Sequence, residues 1–141
     1  MLVPGHHQAP ITTLAFVTNE HLLLSLDSDN TVRTWSLLTK QGAGKAVATE
    51  KTSCMAVPFN SKVAYMGTHS GRTLIFDYAS AKFTQESIPS AGSAVHAVAC
   101  IAFAGDDSVL IGYDSGTIAL WDTKKRTFTA QFSAKSVRSV T

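Results

Sequence analysis

The sequence predicts an all-β protein organised as a β-propeller, in which each repeat of about 40 residues forms one four-stranded blade. An aromatic residue recurs from position 35 to 76 to 121, at intervals of 41 and 45 residues. These aromatic residues are Trp35, Phe76 and Trp121. Each follows a turn residue, Asn30, Gly71 or Gly116, at the same distance along the chain. Asparagine and glycine fit a hairpin turn because they tolerate positive φ. The repeat period, the turn residues and the positions of the aromatic residues therefore all predict a propeller.

The first repeat covers residues 5–50 and shows the alternation of apolar and polar residues that is typical of strands. Its predicted strands are 10–16, 22–26, 31–37 and 46–50. Residues 39–45 interrupt the pattern with two glycines, and 46–50 is polar enough for an exposed outer strand.

Two further repeats follow, at residues 51–94 and 95–135, and residues 136–141 begin another. The strands predicted in these two repeats are 53–57, 63–68, 73–78, 82–88, 95–103, 108–113, 117–122 and 127–132. About three blades and the first strand of a fourth make an incomplete propeller. Because an incomplete propeller leaves an open edge of unpaired backbone, we expect the chain to be a fragment of a longer propeller, or an incomplete gene model, and to associate when expressed alone.

Composition limits the classes of function. The chain has 141 residues, 45% of them hydrophobic and 16% charged, and a net charge of +2 that does not indicate nucleic-acid binding. No apolar run reaches the roughly 18 to 20 residues needed to cross a bilayer, and the N-terminus has no signal-peptide pattern, so a cytoplasmic location is expected. Cys54 and Cys100 form no CxxC pair, and neither a disulfide framework nor a zinc site is predicted.

Four polar residues of the first repeat match the hydrogen-bonded network of WD repeats. In that network a histidine before the inner strand, a serine on the second strand, an aspartate in the next turn and a tryptophan on the third strand bond to one another. His6, Ser25, Asp29 and Trp35 are the predicted members here. The second and third repeats have Met66 and Ile111 where the serine would lie, so both are predicted to lack the network.

A catalytic interpretation of the same residues is the remote alternative. His6, Ser25 and Asp29 have the residue types of a nucleophilic triad, and a hydrolase would use them as such. No nucleophile elbow accompanies Ser25, and the structural interpretation is therefore preferred. His6 and His7 lack a third ligand at suitable spacing, so no metal or other cofactor is predicted.

Two longer phrases resemble one family of WD-repeat proteins. The phrases are PFNSKVAYMGTHSG at residues 58–71 and LIGYDSGTIALWD at residues 110–122. They are similar to successive blades in the amino-terminal propeller of the lethal giant larvae and tomosyn family. Residues 29–37, DNTVRTWSL, are similar to the preceding blade, so the resemblance covers nearly the whole chain.

This resemblance implies a non-enzymatic scaffold that binds syntaxin-type SNARE proteins and regulates vesicle docking and exocytosis. In one branch of the family it also implies binding to non-muscle myosin and a role in cell polarity. A cytoplasmic protein with peripheral association at the plasma membrane is then expected. The alternative is an unrelated WD-repeat adaptor in another multiprotein complex, in ubiquitin ligation or RNA processing, because the fold alone does not separate these functions.

Overall fold

The computed structural model describes residues 7–17, 20–59, 61–92 and 95–133, and these residues form twelve strands in three four-stranded sheets. Blade 1 contains β1 (Ile11–Val17), β2 (Leu22–Asp27), β3 (Thr31–Ser36) and β4 (Gln41–Val47). Blade 2 contains β5 (Thr52–Ala56), β6 (Val63–Thr68), β7 (Thr73–Asp77) and β8 (Lys82–Ile88). Blade 3 contains β9 (Val98–Phe103), β10 (Ser108–Tyr113), β11 (Ile118–Asp122) and β12 (Thr127–Phe132). Within each blade, consecutive strands pair antiparallel, which confirms the predicted all-β class and the blade architecture.

The turn between the second and third strands of each blade has the predicted backbone. Asn30 has φ 66°, Gly71 has φ 94° and Gly116 has φ 93°. Each residue occupies the left-handed region that closes a tight hairpin, where most side chains would be strained. The side chain of Asn30 adds a second role, because its Oδ1 accepts a hydrogen bond from the Thr52 backbone amide of blade 2 at 3.0 Å.

The residue after each recurring aromatic caps the turn into the fourth strand. Asp77 Oδ1 accepts hydrogen bonds from the backbone amides of Ala79 and Ser80, at 3.0 and 3.2 Å. Asp122 Oδ1 accepts two equivalent bonds at 2.9 Å, and Ser36 Oγ accepts one at 3.2 Å. These backbone bonds hold the pKa of Asp122 below its ordinary value. An acidic or hydroxyl side chain here therefore shapes the turn.

The outer strand of blade 1 differs from the prediction. It was expected at 46–50 after a loop, but β4 spans Gln41–Val47 and includes both glycines. The reason is close packing. A Cβ at position 44 would lie 2.7 Å from Ala81 Cβ of blade 2 and 2.9 Å from Thr34 Oγ1. Gly44 therefore lets a strand pass close to the next blade, and it does not mark a flexible connection.

Two apolar clusters hold the three sheets face to face. Between blades 1 and 2, Leu24 and Val32 form one cluster with Met66 and Phe76. Between blades 2 and 3, Ile88, Val98 and Ile111 belong to a second cluster, together with Tyr65, Val109, Tyr113 and Ala119. Most of these side chains are fully buried, so stacking of sheet faces provides the core.

Blades 2 and 3 approach each other closely where Gly67 on β6 faces Val98 on β9. A Cβ at this position would lie 2.4 Å from Val98 Cγ1 and 2.7 Å from Cys54 Sγ. The Ser53 hydroxyl also donates to the Val98 carbonyl at 2.5 Å, which fixes β5 and β9 side by side. The close contact leaves no room for a side chain on this part of β6.

We expect Gly67→Ala to destabilise the chain by about 1 to 3 kcal/mol, because overpacking forces the neighbouring side chains and backbone to move. Equilibrium urea denaturation followed by circular dichroism measures this change. Gly42→Ala is the matched control, since a Cβ there meets only the Trp35 ring at an ordinary 3.6 Å. Equal stability of the two variants would show that the contact at Gly67 relaxes without cost.

No other sheet of the described residues covers the outward faces of blades 1 and 3. Leu14 and Phe16 on β1 alternate with the core-facing residues and are 60% and 50% exposed. On blade 3, Ile118 and its cross-strand partner Phe132 are 45% and 56% exposed. Both faces carry contiguous apolar side chains of the kind that the inner blade interfaces bury.

We expect the 141-residue chain to associate in solution through these faces. Light scattering coupled to gel filtration should give a mass well above the 15.0 kDa of one chain. The double variant Phe16→Lys, Ile118→Lys should shift the mass toward the monomer, because a lysine opposes burial on each open face. Leu38→Lys, in a turn and 73% exposed, is the control and should associate like the wild type. A monodisperse wild-type monomer would contradict the expectation.

Other sequence predictions fall partly outside these residues. Residues 136–141, expected to begin a further repeat, are not among those described, and the repeat boundaries 5–50, 51–94 and 95–135 stay predictions. In the described part of the chain, no helix has the length and apolar character needed to cross a membrane.

Candidate functional site

One face of blade 1 carries a row of four polar side chains that are joined by hydrogen bonds. His7 Nδ1 donates to Asp27 Oδ2 at 2.7 Å. The Ser25 hydroxyl donates to His7 Nε2 at 2.5 Å, and the Trp35 indole Nε1 donates to Ser25 Oγ at 2.8 Å. This direction of bonding holds for a neutral imidazole, because the indole is only a donor and the carboxylate only an acceptor, so His7 Nδ1 carries the ring proton and Nε2 accepts. Each of these four side chains therefore has a hydrogen-bond partner.

Asp27 also organises the hairpin that follows β2. Its Oδ1 accepts hydrogen bonds from the backbone amides of Asp29 at 2.8 Å and Thr31 at 3.0 Å. Burial raises the pKa of the Asp27 carboxyl, but the hydrogen bonds from His7 and from these two amides outweigh burial. The pKa of Asp27 therefore lies below its ordinary value of 3.8.

The structure changes one member of the predicted network. Ser25 and Trp35 are bonded to each other, but the carboxylate is that of Asp27 and not that of Asp29. Side chains two apart on a strand share a face, so Ser25 and Asp27 point the same way, whereas the Asp29 side chain lies exposed in the turn. His7 supplies the imidazole, and His6 lies outside the described residues. The alternation of β2, applied strictly, would have identified Asp27.

The order Ser25, His7, Asp27 is also that of a nucleophilic triad, but its surroundings limit its chemistry. The Ser25 side chain is 1% exposed and Asp27 is 2% exposed. Ser25 Oγ already accepts a hydrogen bond from the Trp35 indole. This bond occupies a lone pair that a nucleophilic serine would need for attack on a substrate. The arrangement can satisfy buried polar atoms and join two strands to the segment before β1.

We expect Ser25→Ala to lower the free energy of unfolding by about 1 to 3 kcal/mol, because the His7 nitrogen and the Trp35 indole would each lose a buried partner. Urea denaturation followed by Trp fluorescence measures the change. Ser28→Ala, at an exposed turn position on the same hairpin, is the matched control and should stay within about 0.5 kcal/mol of the wild type. A Ser25→Ala variant as stable as Ser28→Ala would contradict the structural role.

Blades 2 and 3 replace this network with apolar packing. The cross-strand register places Met66 and Ile111 where Ser25 stands in blade 1, as predicted. Phe76 is completely buried, with its ring 5.0 Å from that of Phe83. Trp121 packs edge-on against Phe128 at 4.9 Å, and its indole nitrogen makes no hydrogen bond with any described residue.

A cleft of about 530 Å³ opens between blades 2 and 3, and we call it the Trp121 cleft. Tyr65, Ile75 and Ile88 of blade 2 face Trp121 and Thr123 of blade 3 across it. At its rim, Arg126 and Glu86 form an ion pair at 2.5 Å that joins the two blades. Sequence reasoning did not identify this cleft, because its two walls are more than 30 residues apart in the chain.

The described residues contain no group of three or more His, Cys, Asp or Glu side chains that could hold a metal ion. The basic turn after Asp122 is engaged in ion pairs. Lys124 lies 3.2 Å from Asp107, and Arg126 pairs with Glu86. These contacts reduce the positive charge that this turn presents to solvent.

Comparison with known families agrees with the blade architecture. The family model described as the Vps8 beta-propeller matches residues 41–141. The chain belongs to the Vps8 β-propeller family. The model described as the WD domain, G-beta repeat, matches residues 2–36, where the polar network lies. The WD-repeat propeller prediction is therefore confirmed, and the resemblance to the lethal giant larvae and tomosyn family stays a prediction.

Solved structures show the same fold at low sequence identity. The WD40 repeats of RRP9 superpose with a TM-score of 0.79 at 18% identity, over 94% of this chain and 41% of that one. U3-55K gives a TM-score of 0.79 at 18% identity, over 94% of this chain and 42% of that one. The computationally designed Ika4 protein gives 0.70 at 23% identity, over 93% of this chain and 76% of that one. The chain thus spans about two fifths of the first two proteins.

Proposed function

We propose that this Vps8-family propeller is part of a non-enzymatic scaffold that holds protein partners on its blade surfaces. The observation that carries the proposal is the contrast between its buried and its accessible groups. The side chains of the serine, histidine and aspartate of blade 1 are buried, and Ser25 is only 1% exposed. The accessible features are turns and a cleft lined by tyrosine, tryptophan and arginine, the residue types that dominate binding energy at protein interfaces.

For the partner, we propose a syntaxin-type SNARE protein and a role in vesicle docking and exocytosis. The support is the resemblance of residues 58–71 and 110–122 to blades of the lethal giant larvae and tomosyn family. A cytoplasmic location with peripheral association at the plasma membrane follows from the same resemblance, as does non-muscle myosin as a second partner linked to cell polarity.

A direct binding measurement tests the partner. The 141-residue chain is immobilised and exposed to the purified cytoplasmic region of a plasma-membrane syntaxin in biolayer interferometry. We expect saturable binding that weakens at least about fivefold in Phe59→Ala, because Phe59 is 69% exposed beside the blade 2–3 boundary and large exposed apolar side chains anchor interfaces. Leu38→Ala, equally exposed on blade 1, is the control and should bind like the wild type.

The outcomes separate the candidate functions. Absence of syntaxin binding would overturn the SNARE assignment and favour an adaptor of another complex, in ubiquitin ligation or RNA processing. Ester hydrolysis by the wild type that disappears in Ser25→Ala, with the fold retained, would overturn the non-enzymatic scaffold in favour of a hydrolase.

A further inference from the structure

One row of four paired residues crosses each blade at the same register. In blade 2 the cross-strand pairs give the row Met55, Met66, Leu74 and Ser87. In blade 3 they give the row Ile101, Ile111, Ala119 and Gln131. In blade 1 the row is Leu14, Ser25, Arg33 and Lys45. Directly paired residues share one side of a sheet, so blade 1 places two cations together where the other blades have none.

In blades 2 and 3 this row packs against the sheet before it. Leu74 belongs to the apolar cluster between blades 1 and 2, and Ala119 belongs to the cluster between blades 2 and 3. In blade 1 the row lies on the opposite side of the sheet from Val32, which belongs to the cluster with blade 2. No described sheet covers that side, and Leu14 is 60% exposed there. We call this side the Arg33 face, and it includes Leu14, Phe16, Arg33, Trp35 and Lys45.

The two cations of the Arg33 face have no counter-charge within the chain. All ten aspartate and glutamate residues lie in the described ranges, and none of them forms an ion pair with Arg33 or Lys45. Asp27, on the same side of β2, is already bound by His7 and by two backbone amides. The Arg33 Nε atom is buried and has no hydrogen-bond partner among the described residues. An anion placed opposite these two cations would therefore stabilise the face.

The register predicts that a sheet stacked on the Arg33 face would bury Arg33. Leu74, at the equivalent position of blade 2, is 7% exposed beside blade 1, and Ala119 of blade 3 has no exposed surface. A guanidinium that is buried without an acceptor is strongly unfavourable, whereas a carboxylate can accept two parallel hydrogen bonds from it. Arg33 therefore penalises any covering surface that lacks an anion, and the exposed apolar side chains favour a surface that is otherwise apolar.

We propose that the Arg33 face binds an apolar sheet surface of a partner protein that carries a carboxylate opposite Arg33. Leu14 and Phe16 pack against the apolar part of that surface, and the Arg33 guanidinium donates hydrogen bonds to the carboxylate. Arg33 is thereby the residue that determines which surfaces this face accepts. The assignment rests on the proposed scaffold function and gives the chemistry of one partner.

Fluorine NMR of chain labelled with 5-fluorotryptophan tests this chemistry, because one of the two tryptophans, Trp35, lies on the Arg33 face. The chain carries Ile118→Lys to oppose stacking of a second copy, and Trp121→Phe assigns the resonances. The probe is the peptide acetyl-Leu-Ser-Leu-Ser-Glu-Ser-Leu-Ser-Leu-amide, which presents glutamate and leucine on one side when extended. We expect it to shift the Trp35 resonance with at least about fivefold higher affinity than its glutamine counterpart, and the lysine counterpart to bind most weakly.

A matched pair of variants assigns the preference to one residue. Arg33→Gln should abolish the difference between the glutamate and glutamine peptides, because it removes the charge and keeps a polar side chain. Lys51→Gln, at an exposed position before β5, is the control and should keep the whole difference. A Trp121 resonance at its original position shows that each variant is folded. Equal affinity of the original chain for the two peptides, or a glutamate preference that survives Arg33→Gln, would overturn the proposal.

A second copy of the chain is the competing occupant of the Arg33 face. The outward side of blade 3 carries two cross-strand rows without an acidic residue, Ala102, Leu110, Leu120 and Ala130, and Cys100, Gly112, Ile118 and Phe132. Stacking of that side on the Arg33 face of another copy would bury Arg33 without an anion. We expect Arg33→Leu to associate at an at least about fivefold lower concentration than the wild type in light scattering, and Lys51→Leu to behave like the wild type. Equal association of the two variants would show that Arg33 excludes nothing, and would overturn its role.

Failure of this proposal and failure of the proposed function give different results. If the glutamate preference is absent while the chain binds syntaxin, the scaffold function stands and the assignment of the Arg33 face fails. If the preference is present and depends on Arg33 while syntaxin does not bind, the assignment stands and the partner is a different protein.

Discussion

Face-to-face packing of apolar sheet surfaces is the interaction on which the rest of this structure depends. A four-stranded sheet has two faces, and here the middle blade covers one face of each neighbour. Val32, Phe76 and Ile111 lose all contact with solvent in this way. The glycines at positions 44 and 67 permit the approach, because any side chain there would collide with the adjacent blade. On the two outer faces, apolar side chains such as Phe16 and Ile118 stay exposed among the described residues, and a propeller buries such faces with further blades.

The three blades surround the recurring aromatic residue with different kinds of side chain. Blade 1 joins its strands through four polar side chains that satisfy one another, from the Asp27 carboxylate to the Trp35 indole. Blade 2 places a phenylalanine at the aromatic position, which has no polar atom to satisfy. Blade 3 keeps the tryptophan without the serine, and Trp121 lines the cleft between blades 2 and 3.

Membership of the Vps8 β-propeller family and the similarity to WD-repeat structures place the chain among proteins built from stacked blades. In such a fold the arrangement of serine, histidine and aspartate is part of the interior. Catalysis needs a nucleophile that a substrate can reach, and the hydrogen bond from Trp35 and the burial of Ser25 both oppose this. Binding needs accessible, rigidly held side chains, which the turns and clefts between blades provide.

The sequence by itself determined the repeat, because local chemistry dictates it. The spacing of Trp35, Phe76 and Trp121, with Asn30, Gly71 and Gly116 at the turns, predicted the blades and most of their strands. Local signals also placed Ser25 and Trp35 in one network. Only the tertiary structure decided that Asp27 completes this network, because Asp29 lies beyond the end of the strand whose face carries Ser25. It also decided that two glycines belong to a strand and that Tyr65 and Trp121 share a cleft. These outcomes depend on how one blade approaches the next, and contacts between residues distant in the chain leave no local pattern in the sequence.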